Sequence, residues 1–337
     1  MASTTSKTRD NPVVAVTGAS EYLGRRLVEH LQAGTWARRI CVVDVREPPC
    51  STGPRTRSCP VDLTQPEAGA ELARVFRRNQ VDILVHLAFI SHPVHDTEYA
   101  HELQVIGTLH LLNAASAARL GKVVLLGDSK SYGARPDNPN FLDEQQPLRG
   151  VPHSPLVADL VEVEQQFERF ATRHPDTVCT VLRMGNILSH EVDGFIPRLL
   201  RSALVPTVLG YDPLMQFLHH EDAFQAIRLA VEGDFPGAFN ITSDGLLALS
   251  TAIRLGGRLT LPLPYCLWQR AGSVMWAFQT LEVPPSLVDY LRFQFVADGQ
   301  RAQQLMGFRP TMNSKQTLAD FYRSSGPAAE ASWATTG

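Results

Sequence analysis

The chain has 337 residues, 44 % of them hydrophobic and 19 % charged, which is enough to bury a large core, or two adjoining ones, and too apolar for a disordered chain. Its formal charge of −3 offers no concentrated basic surface for nucleic acid, and without a run of about 18 uncharged apolar residues no helix is expected to span a bilayer. The five cysteines (Cys41, Cys50, Cys59, Cys179, Cys266) are odd in number, widely spaced and form no CxxC pair, so neither a metal site nor a disulfide framework is expected and a reducing cytoplasm fits best.

Residues 1–11 are polar, without the apolar segment of a signal peptide or anchor, and read as disordered. Pro12–Thr17 is a β-branched strand, Gly18–Ser20 a turn, and Tyr22–Ala33 an amphipathic helix. Arg39–Val45 is a second strand, 48–60 a loop, and Val61–Leu63 a short strand end. A helix at Glu71–Asn79, a strand at Val81–Leu87, a long helix at Glu102–Arg119 and a strand at Lys122–Leu126 follow. Pro155–Thr172 reads as a helix and Val178–Arg183 as a strand. Short apolar runs alternating with helices predict an α/β fold, a Rossmann doubly wound parallel sheet over 12–190. Beyond it, 191–323 reads as a smaller C-terminal α/β substrate-binding region. Asp222 is expected to cap a helix at Ala223–Val231 and Ser250 one at Thr251–Leu255. The tail, 324–337, reads as disordered.

A strand, a glycine-bearing turn and a helix start make a cradle for pyrophosphate, because backbone amides and the helix dipole point at the anion. Here the turn runs Thr17-Gly18-Ala19-Ser20-Glu21-Tyr22-Leu23-Gly24. It resembles the TGxxGxxG fingerprint of the extended short-chain dehydrogenase/reductases, the NAD-dependent epimerase/dehydratase type. Gly18 and Gly24 match, while Glu21 replaces the middle glycine. Asp44 ends the second strand, about 20 residues on, where a carboxylate accepts both ribose hydroxyls and repels a 2′-phosphate; NAD is therefore favoured over NADP, with Arg46 two residues away. Asp62-Leu63 resembles the pair that brackets adenine, and His86-Leu87-Ala88-Phe89 the HLAA motif. Glu102–Thr108 resembles ExNVxGT with Gln104 for the asparagine. Tyr132-Gly133, Leu182-Arg183 with Asn186, Phe217–Ala223, Gly237–Ile241 and Leu305–Pro310 match later family blocks, so the resemblance spans roughly 12–325.

The resemblance implies a catalytic Ser/Thr and a Tyr-x-x-x-Lys pair, the lysine lowering the tyrosine pKa. Aligned through Pro155 and Glu164, those two positions are Leu156 and Leu160, and none of the seven tyrosines has a lysine four residues on. The usual serine position falls on Asp128, beside Ser129 and Lys130. Asp128 is the candidate replacement acid or base, with Ser129 as helper, and a salt bridge to Lys130 is the structural alternative. Leu156, Leu160, Val163 and Phe167 form an apolar stripe that is core, an inter-subunit face, or the wall of a dry pocket beside the nicotinamide. Tyr132 reads as a packing residue.

His92, Met184 and Asn186 are placed at the substrate, with His95 and His153 on bordering loops. His219-His220-Glu221 is rejected as a metal site, since neighbours in a strand point to opposite faces. Family members acting on nucleotide sugars carry an arginine where this chain has Met215-Gln216, which argues against such substrates. Arg198, Arg201 and Arg254 remain as anion partners. The aromatic content of 259–296, including Trp268, Trp276, Phe278, Tyr290, Phe293 and Phe295, is compatible with a hydrophobic ligand. The readings left open are an atypical NAD-dependent oxidoreductase for a small hydrophobic carbonyl or alcohol, a non-enzymatic binding or scaffold protein, and, weakest, a nucleotide-sugar epimerase. The resemblance further implies a homodimer pairing helices 102–119 and 155–172.

Overall fold

The structure, a computed structural model, describes residues 11–45, 47–90, 94–277 and 284–324. The expectations for residues 1–10, Arg46, His92, Phe278 and 325–337 lie outside it. Its strands are β1 (Val13–Thr17), β2 (Arg39–Asp44), β3 (Thr56–Pro60), β4 (Ile83–His86), β5 (Lys122–Asp128), β6 (Val178–Met184), β7 (Asn186–Leu188), β8 (Leu204–Val208), β9 (Leu214–Met215), β10 (Phe217–His219), β11 (Gly237–Ile241), β12 (Leu247–Ala248) and β13 (Leu259–Leu263). Its helices are α1 (Tyr22–Ala33), α2 (Ala68–Asn79), α3 (Thr97–His101), α4 (Gly107–Ala118), α5 (Pro155–Arg173), α6 (Phe195–Arg201), α7 (His220–Glu232), α8 (Leu249–Leu255), α9 (Tyr265–Ala277) and α10 (Ser314–Ser324).

Seven strands form one parallel sheet in the order β11-β6-β5-β4-β1-β2-β3. Both faces are covered, which is why its strands read as continuous apolar runs. Val14 and Val16 pack with Leu23, Leu27 and Leu31 of α1 and with Ala226 and Ala230 of α7. Val13 and Ala15 face the other way, onto Leu72 and Phe76 of α2, Leu111 of α4 and Phe167 of α5. A third core gathers Tyr132, Val157, Phe195, Phe217, Trp268 and Tyr290 under the C-terminal region. The seventh strand, β11, comes from residue 237 onward, so the chain returns to the sheet after its first 190 residues.

Four local expectations are corrected. The segment read as loop, 48–60, contains the edge strand β3; one neighbour and half-exposed polar side chains leave an edge strand little periodic signal. Residues 61–63 then follow β3 as an irregular connection. Asp222 does not cap α7. That helix starts at His220 behind His219, and the buried Asp222 carboxylate accepts from the amides of Thr311 and Met312 and the Thr311 hydroxyl, tying down the C-terminal loop. Ser250 lies inside α8, its amide and hydroxyl both donating to Asp212. The long helix after residue 97 is continuous through a π-helical turn at Glu102–Ile106.

Candidate functional site

The strand order reverses between β1 and β4, and the crevice at their carboxyl ends is where an open parallel sheet binds ligands. Thr17, last in β1, donates its hydroxyl to His86 Nδ1 at 2.7 Å and accepts from the amides of Leu87 and Ala88. His86 Nε2 lies 3.0 Å from the Thr108 hydroxyl, which itself donates to the Gln104 carbonyl, so the ring carries its proton on Nε2. Complete burial drives the His86 pKa down to about 3. This neutral relay bolts β1, β4 and α4 together beneath the loop that follows.

Gly18 has φ +70°, and a Cβ there would stand 2.6 Å from the Ala88 amide nitrogen; one at Gly24 would stand 2.1 Å from the Gly18 carbonyl oxygen. Neither position admits a side chain. Glu21 is different, because its backbone is extended (φ −84°, ψ 159°), a conformation open to any residue. The departure from the family's middle glycine therefore strains nothing. Glu21 gives no side-chain cap to α1, leaving the helix's first-turn amides, from Tyr22 onward, without an acceptor from the N-cap side chain.

Two hollows meet at this loop. One, of ≈ 160 Å³, is bordered by Gly18, Ser20, Val43, Asp44, Val61, Leu63, Ala88, Tyr99 and Leu103. The other, of ≈ 140 Å³, lies over the ends of β5 and β6 and is lined by Tyr22, Leu23, Leu87, Leu126, Asp128, Lys130, Leu160, Met184, Asn186 and residues 191–197. Glu21, Phe89 and Ile90 border both. The result is a two-lobed cleft crossing the sheet, with Asp44 in one lobe, the start of α1 at its waist and a mostly apolar chamber, edged by Asp128, Glu191 and Asp193, in the other. The residues present fit a dinucleotide. Gly18, Gly24 and the α1 amides would hold its pyrophosphate, and Asp44 its adenosine ribose. Asp44 Oδ2 already accepts from the Ser20 amide and hydroxyl, at 3.1 and 2.8 Å, which holds the carboxylate against the loop.

Asp62 does not border either hollow; its neighbours Val61 and Leu63 do. Although burial works against ionisation, hydrogen bonds from Thr64 and Gln65 hold its carboxyl below the ordinary value. Glu21 has the opposite balance. Lost hydration at the waist, then the negative charges of Asp44 and Asp193, raise its pKa despite Arg25 nearby.

The chamber wall carries Asp128 and Lys130. Asp128 Oδ1 accepts from the Lys130 amide at 2.8 Å and Oδ2 from Lys130 Nζ at 2.5 Å, both side chains being largely buried. Ser129 is buried but does not reach the chamber. Leu160 does, whereas Val163 and Phe167 are core, and Leu156 turns to a separate hollow beside His153, Tyr265 and Trp276. The stripe thus divides among three environments, with Leu160, Val163 and Phe167 buried inside the monomer and Leu156 half-buried. Tyr132 is sealed behind the wall, donating to Asn240 Oδ1 and accepting from Arg183, which also holds Glu164 at 2.5 Å.

The sequence of residues 14–242 matches the model of the NAD dependent epimerase/dehydratase family. The chain belongs to this family. An uncharacterized protein of Mycobacterium tuberculosis is 31 % identical over 327 residues, 93 % of this chain and 84 % of its own length. A 3-diazoavenalumate denitrifying reductase of a Streptomyces species is 32 % identical over 146 residues, 42 % of this chain and 47 % of its own. Among solved structures, a UDP-glucose 4-epimerase of Thermotoga maritima superposes with a TM-score of 0.69 at 19 % identity, covering 93 % of this chain and 99 % of that one. A dTDP-glucose 4,6-dehydratase of Streptomyces venezuelae, solved with NAD, does so with the same score at 20 % identity, covering 92 % and 96 %. These likenesses establish the fold.

Met184 and Asn186 line the chamber, the Asn186 side-chain amide donating to the Gln216 carbonyl. Met215 is buried in β9 and offers nothing to an anion. Arg198 is paired with Asp193, and Arg201 donates to the Ser189 carbonyl. His95 stacks on Trp276. The residues missed from sequence are Glu191 to Pro197, which close the chamber from a loop and the start of α6. That stretch carries no motif; its one signal was the acid pair Glu191 and Asp193 beside apolar Phe195 and Ile196. Among the described residues no helix is long and apolar enough to cross a membrane, and no cluster of ligands could hold a metal.

Proposed function

We propose that this chain is an NAD(H)-dependent oxidoreductase acting on a small hydrophobic carbonyl or alcohol. The observation that carries the reading is the mostly apolar chamber over the ends of β5 and β6, whose wall holds the buried ion pair Asp128–Lys130, with Glu21, Asn186, Glu191 and Asp193 as its other polar lining. Nicotinamide, when bound, gives or takes the hydride. The chain's own part is to orient the substrate against Leu160, Met184 and Phe195, to exclude water, and to handle the proton at the substrate oxygen. Lys130 Nζ is the donor at hand in the reducing direction, with the Asp128 carboxylate positioning it and taking part in its recharging. The loss of tyrosine and lysine at 156 and 160 costs the chain its family acid without removing every proton source from the wall. A reductase among the relatives supports a reductive role, and the preference for NAD over NADP rests on Asp44. A homodimer through α4 and α5 and residence in the cytoplasm belong to the same reading; light scattering tests the first.

A second reading has an observation of its own. Glu21 and Asp193 crowd acidic charge onto the waist where a pyrophosphate would lie, as expected of a binding or scaffold protein that has abandoned the cofactor. A nucleotide-sugar epimerase is the weakest reading, given buried Met215. Calorimetric titration with NAD(H) and NADP(H) separates the first two. Binding of NAD(H), weakened by Asp44→Ala while NADP(H) is not, upholds the oxidoreductase. Absence of heat at millimolar cofactor sinks it.

A further inference from the structure

The C-terminal region carries a surface that the cofactor cleft does not use. From residue 245 to residue 281 the sequence has no aspartate or glutamate, and its charges are Arg254, Arg258 and Arg270. In the structure this segment supplies α8, β13 and α9. Among the described residues the β13 strand pairs only with β8, in parallel, and Leu204 lies opposite Leu259 while Pro206 lies opposite Leu261. Residues two apart on a strand share a face, so Leu204, Leu259 and Leu261 stand side by side on the outer face of this two-stranded ribbon. On the opposite face Val205 and Thr207 of β8 are buried, while Thr260 and Pro262 of β13 are exposed on that side too.

Among the described residues nothing covers the outer face. Leu259 is 70 % exposed, Leu209 57 %, Leu255 50 %, and Leu204 and Leu267 48 % each. Leu209 continues the patch, its amide donating to the Leu263 carbonyl, and Leu267 with Arg270, three residues apart on α9, extends it onto an exposed helical face. Arg254, before Leu255, is exposed, and Arg258, before Leu259, is half-buried with its Nε enclosed. Among the described residues none of the three arginines has a carboxylate partner; Arg254 reaches only the Thr251 hydroxyl. Asp212, at the border, is occupied by Ser250.

We propose that this face docks the protein peripherally onto an anionic lipid surface, with the leucine ribbon entering the headgroup boundary and the arginines pairing with lipid phosphates. The charge pattern decides between occupants. A second copy laid on the same face would bring two sets of uncompensated arginines together, whereas an anionic bilayer supplies the missing charge over the whole patch. The inference is independent of the oxidoreductase reading.

The test is co-sedimentation of the full chain with vesicles of phosphatidylcholine, with and without about a third phosphatidylglycerol. Binding is expected only with the anionic lipid, and it weakens as salt is raised. Arg254→Gln and Arg270→Gln each reduce partitioning about fivefold. Leu259→Ser with Leu261→Ser reduces it about tenfold or more, with an unchanged melting temperature because both sites are exposed. Three results overturn the proposal: no retention on anionic vesicles at low salt, equal retention on both vesicle types, or a wild-type dimer in light scattering that the leucine double variant splits.

Discussion

Lys130 Nζ sits 2.5 Å from Asp128 Oδ2 in the wall of the mostly apolar chamber over the ends of β5 and β6. If the pair handles the substrate proton, Asp128→Asn and Lys130→Met each lower kcat by about 10² to 10⁴ and leave NAD(H) affinity unchanged. The two effects do not add, because each removes the same unit. Steady-state kinetics of the singles and the double, once a substrate is in hand, check this. Wild-type rates in either single would make the pair a structural clamp on the β5 loop.

Glu21 sets the second expectation. Burial and the charges of Asp44 and Asp193 raise its pKa, so it takes up a proton at a higher pH than a free glutamate. Above that pKa the carboxylate repels pyrophosphate; below it the repulsion vanishes. NAD(H) affinity therefore strengthens as pH falls through the Glu21 titration. In Glu21→Gln the slope disappears and affinity at neutral pH rises about five- to tenfold, the scale of one charge pair near the surface. Calorimetry across the pH range reads both. An unchanged slope in the variant would put the titrating group elsewhere.

Most of the parallel sheet could be read from the chain because buried strands and amphipathic helices leave strong periodic signals, as in Val13–Thr17 and Tyr22–Ala33. The edge strand Thr56–Pro60 was hidden by its polar, one-sided environment. Gly18 and Gly24 were legible because close backbone approach excludes a side chain there. The tolerance of Glu21 was not, since it depends on a local ψ that no motif records. The separate fates of Leu156 and Leu160 were likewise invisible, as helical spacing gives a shared face but not which hollow each end of that face meets.

His86 makes the fold sensitive to acid. Its pKa is about 3 in the folded chain against 6.5 for the free side chain. Between these values the unfolded chain binds a proton that the folded chain refuses. The stability present above about pH 6.5 is thus lost as pH falls towards 3, by up to about 1.4 kcal/mol per pH unit. Urea unfolding of wild type and His86→Gln at successive pH values checks the sign. The variant should start less stable, having lost the Thr17–Thr108 bridge, and the gap should narrow on acidification; a constant gap would mean that His86 does not titrate on unfolding.

Glu164 and Arg183, 2.5 Å apart and almost wholly buried, form the last testable pair. Burial raises the Glu164 pKa while Arg183 opposes it, and Arg183 also donates to the Tyr132 hydroxyl and the Glu144 carbonyl. Removing one partner strands a buried charge, so Glu164→Leu and Arg183→Met each cost about 3–5 kcal/mol in urea unfolding. The double variant should be less destabilised than the sum of the singles by about 1–3 kcal/mol, since neither charge is left unpaired. Tyr132 lies directly after the loop of Asp128 and Lys130, so a stable Glu164→Leu protein would also lose chamber geometry and kcat. Additive stabilities in the double variant would show that solvent, and not its partner, compensates each charge.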